Sequence, residues 1–182
     1  MLKELFSTAF RLVRTPHLVL PELLVRRPFR LVSRMVLLGQ SPIYAAFLVS
    51  FSGLLTPAKT GKPSPYWAVG IVLLAPLLVL FSWVVNALLL HLLARLCGSR
   101  REFGTSFLLY GCAGAPYLFV FPLLLFPQTF WSQLFFVFAN GWSFFLLYFG
   151  FLLGHGLSRG RTFLVVLGGQ FLLPLLLLLL FL

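Results

Sequence analysis

Residue types that carry out acid–base chemistry are scarce in this chain. The acidic residues are Glu4, Glu22 and Glu102, aspartate is absent, and the histidines are His17, His91 and His155. General acid–base catalysis and the Ser–His–carboxylate triad both depend on a positioned carboxylate. The three glutamates lie among basic residues, outside the long apolar segments. We therefore predict that the chain has no catalytic residues and is not an enzyme.

The spacing of histidine and cysteine gives no sign of a metal site. The three histidines are more than sixty residues apart, and Cys97 and Cys112 are separated by fifteen residues without a Cys-x-x-Cys pattern. Structural zinc sites and disulfide frameworks have characteristic short spacings that are missing here. We predict neither a metal site nor a bound cofactor.

The composition is that of a membrane protein. Of 182 residues, 60% are hydrophobic and only 9% are charged, with a mean hydropathy of +1.04. Soluble domains contain about a quarter charged residues. The formal net charge is +11. In an apolar chain such an excess of arginine marks the cytoplasmic face and anionic lipid head groups, so we expect no nucleic-acid partner.

The apolar segments predict an all-α integral membrane protein with five transmembrane helices. A helix needs about 20 apolar residues to cross a bilayer. The predicted spans cover about 36–55, 67–94, 104–126, 129–153 and 162–182. Short connections between them make neighbouring helices antiparallel. We therefore divide the chain into a basic amphipathic membrane-surface segment, 1–35, and a five-helix transmembrane bundle, 36–182.

The first segment is predicted to contain two amphipathic interfacial helices. From Leu2 to Val13 the apolar residues share one helical face, and Pro16 ends this helix. A second helix is predicted from Pro21 toward Arg34, with arginines in the head-group layer. A mitochondrial targeting peptide and a twin-arginine signal are alternatives for this segment, but no clean cleavage site follows.

The distribution of basic residues predicts the orientation. With a cytoplasmic N-terminus, twelve basic residues lie on the cytoplasmic side and only Lys59 and Lys62 lie outside. This arrangement satisfies the positive-inside rule. Five spans then place the C-terminus outside.

Small and polar residues within the spans suggest how the helices pack. Small residues let helix backbones approach closely, and polar side chains form hydrogen bonds between helices. The predicted packing residues are Gly111, Gly114, Ala115, Pro116, Gly150, Gly154, Gly168 and Gly169. The predicted intramembrane polar contacts are Asn86, His91, Asn140 and Gln170. A solute path lined by these polar residues is the alternative to simple interhelical hydrogen bonds.

A family resemblance emerges around the third span. The basic, glycine-containing loop Arg95–Phe103 leads into a span with the sequence Phe-Leu-Leu-Tyr-Gly-Cys-Ala-Gly-Ala-Pro, residues 107–116. This pattern resembles the Yip1 family of five-span membrane proteins, as do Arg26–Arg30 and His155–Arg161. The resemblance implies membrane trafficking or shaping, and eukaryotic relatives bind lipid-modified small GTPases. This chain is more similar to the compact prokaryotic members, so we do not expect a small GTPase partner.

The sequence leads to one functional hypothesis and two alternatives. We expect a non-catalytic membrane scaffold or adaptor whose basic face binds anionic phospholipids or an acidic partner. The residues of this face are Arg26, Arg27, Arg30, Arg34, Arg95, Arg100, Arg101, Arg159 and Arg161. The first alternative is an accessory subunit packed into a larger membrane complex, and the second is a channel or facilitator for a small solute. The expected protein partners are other membrane proteins or further copies of this chain in a homo-oligomer. The expected location is the bacterial inner membrane, or the Golgi or endoplasmic reticulum membrane in a eukaryote.

Overall fold

The computed structural model describes the backbone of residues 2–55, 65–124 and 130–181, and the side chains of 2–45, 70, 73–120 and 130–172. All regular secondary structure in these ranges is helical, which confirms the all-α prediction. The helices are α1 (Leu2–Arg14), α2 (Pro16–Arg26), α3 (Phe29–Leu55), α4 (Pro65–Leu96), α5 (Phe103–Ala113), α6 (Tyr117–Leu124), α7 (Phe130–His155) and α8 (Arg159–Phe181).

Three helical stretches in the described part of the chain are long and apolar enough to cross a membrane. They are Leu73–Leu96, Phe103–Val120 and Phe130–His155, and they correspond to the second, third and fourth predicted spans. The first and fifth predicted spans lie on α3 and α8. Much of those two spans, and the loop that contains Lys59 and Lys62, falls outside the residues with described side chains.

The helix predicted from Pro21 to Arg34 does not form as one element. The structure instead begins α2 at Pro16, ends it at Arg26 and begins α3 at Phe29. Proline disfavours a helical conformation in the residue before it, and Arg27, which precedes Pro28, has a left-handed conformation with φ 46°. The prediction was wrong because it applied this rule at Pro16 but not at Pro28.

Helix α1 packs its apolar face against the protein. Leu5, Ala9 and Leu12 are fully buried, because residues spaced three and four apart lie on one side of a helix. Phe6 and Phe10 form edge contacts with Phe119 of α6, at centroid distances of 6.5 and 6.4 Å. The predicted amphipathic helix is therefore present, and its buried stripe contacts the bundle.

Pro116 interrupts the third predicted span. Helix α5 ends at Ala113, and the chain resumes as α6 at Tyr117. Across the break the amides of Gly114, Ala115 and Tyr117 donate to the carbonyl three residues earlier, at 3.1 to 3.2 Å. This tighter 3₁₀ pattern gives these backbone amides partners where the proline supplies no N–H.

Glycine allows large side chains to pack directly against α5. A Cβ on Gly111 would overlap Val32 Cγ1 and would lie 2.7 Å from Trp83 Cζ2. Trp83 fills this space, stacks on Phe107 at a centroid distance of 4.0 Å, and donates its indole N–H to the Phe107 carbonyl at 3.0 Å. The single hydrogen at position 111 thus lets α4 approach α5.

The other predicted packing glycines differ in how closely they are packed. Cβ atoms on Gly150 and Gly154 would lie 2.9 and 2.8 Å from the two methyl groups of Leu109, so this pair on α7 encloses a leucine of α5. A Cβ on Gly169 would overlap Leu90 of α4. At Gly168 the nearest atom would be 3.5 Å away, an ordinary contact. Ala115 and Pro116, at the break after α5, are both buried.

Replacement of Gly111 by alanine is expected to destabilise the protein. The added methyl group would have to displace the rigid Trp83 ring, and overpacking of this kind typically costs about 1–3 kcal/mol. The matched control is Gly141→Ala on α7, where a Cβ would meet nothing within 4 Å. Thermal unfolding of the purified protein in detergent should show a lower midpoint for G111A and an unchanged or higher one for G141A. Equal midpoints for the two variants would contradict the close packing at Gly111.

Candidate functional site

Six helix ends meet at one end of the bundle. They are the C-terminal ends of α2, α4 and α7 and the N-terminal ends of α3, α5 and α8. The Phe29 ring at the start of α3 lies 3.6 Å from where a Cβ would sit on Gly104 of α5. Arg161 near the start of α8 donates from Nη1 to the Cys97 carbonyl, just after α4, at 3.3 Å.

This end of the bundle carries the predicted basic face. We call it the basic end and define it by its nine arginines, which are all exposed. They are Arg26, Arg27, Arg30, Arg34, Arg95, Arg100, Arg101, Arg159 and Arg161. Residues from three separate parts of the sequence, 26–34, 95–101 and 159–161, thus share one surface, because the helices alternate in direction.

Only two of the nine arginines form ion pairs within the described part of the chain. Arg26 pairs with Glu22 at 3.3 Å, and Arg27 pairs with Glu102 at 2.8 Å. Glu22 also accepts a hydrogen bond from Arg11 at 3.1 Å. Exposed pairs of this kind contribute little to stability. The other seven arginines have no carboxylate within ion-pairing distance among the described residues, so most of the positive charge is left uncompensated.

A chain of buried polar side chains lies beneath the basic end. The His155 ring, 5% exposed, is hydrogen-bonded through Nδ1 to the Ser99 hydroxyl at 2.7 Å and through Nε2 to the Ser106 hydroxyl at 3.0 Å. Ser106 is also 3.2 Å from His91 Nδ1. Ser99 accepts a further hydrogen bond from the backbone N–H of Arg101 at 3.2 Å.

Either neutral tautomer of His155 satisfies every contact in this network, because each serine hydroxyl can donate or accept. A neutral imidazole has one donor and one acceptor nitrogen. With its proton on Nε2, His155 donates to Ser106 and accepts from Ser99, and Ser106 donates in turn to His91. The network connects α4, the loop after it, α5 and the end of α7. It therefore fixes the loop that carries Arg100 and Arg101.

The sequence interpretation treated the histidines as dispersed and missed this network. His91 and His155 are 64 residues apart in sequence, yet their ring centroids are 6.4 Å apart. The only available signal was position, since both histidines fall near a predicted boundary of a span on the same side.

A hydrogen-bonded serine and histidine are also the core of a nucleophilic site. Here Ser99 is buried, and the second nitrogen of His155 contacts a hydroxyl rather than a carboxylate.

The four predicted intramembrane polar residues have different partners in the structure. Asn86 donates to the Ser82 carbonyl of its own helix at 2.8 Å, whereas His91 belongs to the network above. Asn140 accepts from the Tyr117 hydroxyl at 2.8 Å, an interhelical hydrogen bond. Gln170 lines a cavity within the bundle that Tyr117 also lines, so Asn140 and Gln170 are connected through Tyr117.

Comparison with known proteins identifies the family. A sequence model of the Yip1 domain matches residues 24–182, which is most of the chain. The chain belongs to the Yip1 domain family. Searches of curated proteins and of solved structures find no significant match. The Yip1 domain and the apolar helices together establish an integral membrane protein. In this Yip1-family chain the match includes all nine arginines of the basic end and both histidines of the network.

Loss of the His155 side chain is expected to loosen the loop between α4 and α5. In H155L the hydroxyls of Ser99 and Ser106 lose their common partner and keep only the Arg101 amide and His91, and each lost hydrogen bond costs about 0.5–1.5 kcal/mol. Cys97, at the start of this loop, is half-buried, whereas Cys112 is buried. We expect maleimide labelling of Cys97 to become about tenfold faster while Cys112 stays unreactive.

The control for this experiment is His17→Leu, which replaces an exposed histidine on α2. Its Cys97 labelling rate should equal that of the wild type. An unchanged rate in H155L would show that the network does not hold the loop, and fast labelling of Cys112 would indicate general unfolding instead.

Proposed function

We propose that this Yip1-family protein is a non-catalytic, five-span membrane scaffold whose basic end binds anionic phospholipids at the cytoplasmic surface. The observation that carries the proposal is the convergence of nine exposed arginines on one end of the bundle, with only two of them paired to carboxylates among the described residues. Each cation close to an anionic surface contributes about 1 kcal/mol of attraction. An uncompensated cluster therefore binds such a surface firmly.

A recess at the basic end gives this attraction a local geometry. It has a volume of about 520 Å³ and is lined by Arg27, Arg30 and Arg34 together with Pro28, Phe29, Leu31 and Glu4. Guanidinium groups bind phosphate oxygens with paired hydrogen bonds. A lipid phosphate in the recess would meet cations, and the neighbouring apolar residues would contact its acyl chains. Glu4 reduces the net charge of the recess without cancelling it.

The orientation belongs to the same proposal. If the basic end faces the cytoplasm, the N-terminus lies inside, and five crossings place the C-terminus outside. The count of basic residues, twelve against Lys59 and Lys62, supports this arrangement. The bacterial inner membrane, whose anionic lipids match the charge of the basic end, is the location we propose. An accessory subunit and a solute facilitator remain predictions from the sequence.

Removal of two unpaired arginines is expected to weaken the preference for anionic lipid. Arg30→Gln with Arg34→Gln removes two cations from the recess, at about 1 kcal/mol each, which corresponds to roughly a thirtyfold loss of preference. Native mass spectrometry of protein released from nanodiscs with equal phosphatidylglycerol and phosphatidylcholine gives the ratio of retained lipids. Wild type should retain mainly phosphatidylglycerol, and the double variant should approach the ratio in the nanodisc.

The charge-matched control is Lys59→Gln with Lys62→Gln, which removes two cations from the opposite predicted side. It should retain phosphatidylglycerol like the wild type. If both double variants lose the same amount of anionic lipid, only the total charge matters, and the proposed role of the basic end is wrong.

The orientation is tested by labelling single cysteines in intact cells. In a chain with Cys97→Ser and Cys112→Ala, a membrane-impermeant maleimide should react with Lys59→Cys at once and with Arg100→Cys only after permeabilisation, because the two positions lie on opposite sides. Reaction of both positions from the outside, or of neither, would contradict the five-span orientation.

A further inference from the structure

A polar cavity lies inside the bundle, away from the basic end. Its volume is about 160 Å³, and its lining comes from α3, α5, α6, α7 and α8 and from the break after α5. The polar lining residues are Gln40, Tyr44, Tyr110, Tyr117, Ser143 and Gln170. Ile43, Gly114 and Phe136 complete the wall. This concentration of polar side chains is unusual for a described interior built mainly from leucine, valine and alanine.

Part of this lining has unused hydrogen-bonding capacity. Tyr44 donates to Ser82 at 2.9 Å and Tyr117 donates to Asn140 at 2.8 Å, so the hydrogens of these two hydroxyls are already used in bonds to residues outside the cavity lining. By contrast, Gln40, Tyr110 and Gln170 form no side-chain hydrogen bond to any other described residue. A carboxamide offers two donor hydrogens and an acceptor oxygen, and a phenol offers one donor and an acceptor. Three side chains therefore present free donors and acceptors to one space.

The segment around the break at Pro116 forms one wall of the cavity. Tyr110 lies on α5, one turn before Gly114, and Tyr117 begins α6. Both phenols line the cavity, one on each side of the break. Gly114 leaves room for Gln40, since a Cβ at this position would lie 2.9 Å from Gln40 Nε2. A side chain at position 114 would therefore displace Gln40 from its present place.

Unpaired polar groups inside a membrane protein are costly unless something occupies the space beside them. An amide or hydroxyl without a partner costs several kcal/mol in an apolar medium. A cavity of about 160 Å³ has room for on the order of ten water molecules or one small organic group. Among the residues with described side chains, no lysine, arginine, aspartate, glutamate or histidine is part of the lining. The site therefore suits an uncharged group that both donates and accepts hydrogen bonds.

We propose that this cavity is a binding site for an uncharged hydroxylated group of glycerol size. Gln40 and Gln170 bind its hydroxyls through their carboxamides, Tyr110 adds a third hydrogen bond, and Ile43 and Phe136 contact its carbon atoms. The group has two possible sources, a free polyol or the head of an uncharged glycerolipid such as diacylglycerol. The site is independent of the basic end, which binds charge, and the proposal does not rest on the lipid scaffold function.

The experiment measures both sources with the full chain. In one arm, native mass spectrometry counts dioleoylglycerol that stays bound after release from nanodiscs containing this lipid. In the other, saturation-transfer difference NMR detects glycerol bound to the protein in detergent. The test variants are Gln40→Leu with Gln170→Leu, and the milder Tyr110→Phe, which removes only a hydroxyl. The matched controls are Gln133→Leu and Tyr148→Phe, both on α7 and outside the cavity lining.

Wild type and both controls should bind at least one of the two probes. Loss of one hydrogen bond corresponds to about fivefold weaker binding, which is the expected effect of Y110F, and the double variant should lose more. If the cavity variants lose only dioleoylglycerol binding, the site binds a lipid head. If they lose only glycerol binding, the site binds a free polyol. Arg30→Gln with Arg34→Gln should leave this binding unchanged, which separates it from the basic end.

The proposal is overturned if wild type binds neither probe, or if both cavity variants bind as well as their controls, since the cavity then holds only water. If the double variant aggregates on size-exclusion chromatography, the result for Y110F decides, because phenylalanine keeps the ring that packs against the hydrophobic core.

Discussion

The arrangement of this molecule depends on the close approach of α4 and α7 to the central helix α5. In a bilayer, helices gain little from leaving lipid for one another, so their association relies on close packing and on hydrogen bonds. Gly111 lets Trp83 pack against α5, and Gly150 with Gly154 encloses Leu109. These contacts bring both neighbouring helices against α5 at opposite faces. Every polar feature described above is built on this core.

Two features with different chemistry use the same central helix. At the start of α5, Ser106 joins His91 and His155 and thereby fixes the loop with Arg100 and Arg101. At its end, Tyr110 faces the neutral cavity that forms where Pro116 interrupts the span. The basic end is charged and exposed, whereas the described lining of the cavity is uncharged and partly buried. A rigid α5 can support both because each uses a different turn of the helix.

Several elements were predictable from local patterns. The apolar runs indicated the helices of the second, third and fourth spans, since hydrocarbon thickness sets their length. The residues of the Arg95–Phe103 loop and the Tyr110–Pro116 segment indicated the Yip1 family, which the family match confirms. The helix boundary at Arg27 was also available, because Pro28 disfavours helix in the residue before it. It was missed only because the arginine pattern was given more weight than the proline.

By itself, the sequence determined the membrane class, the family, the approximate positions of the helices and the excess of arginine over carboxylate, because these follow from composition and from periodicity over one or two dozen residues. Only the tertiary structure decided which polar side chains meet. Ser99, Ser106 and His155 are brought together by helices that run in opposite directions, and so are Gln40, Tyr110 and Gln170. Such contacts join residues tens to more than a hundred positions apart in the chain. These contacts depend on how far each helix is rotated about its axis and how closely it approaches its neighbours. The small residues along α5 and α7 allow the close approach, but the rotation and the distance are determined only when the helices pack together.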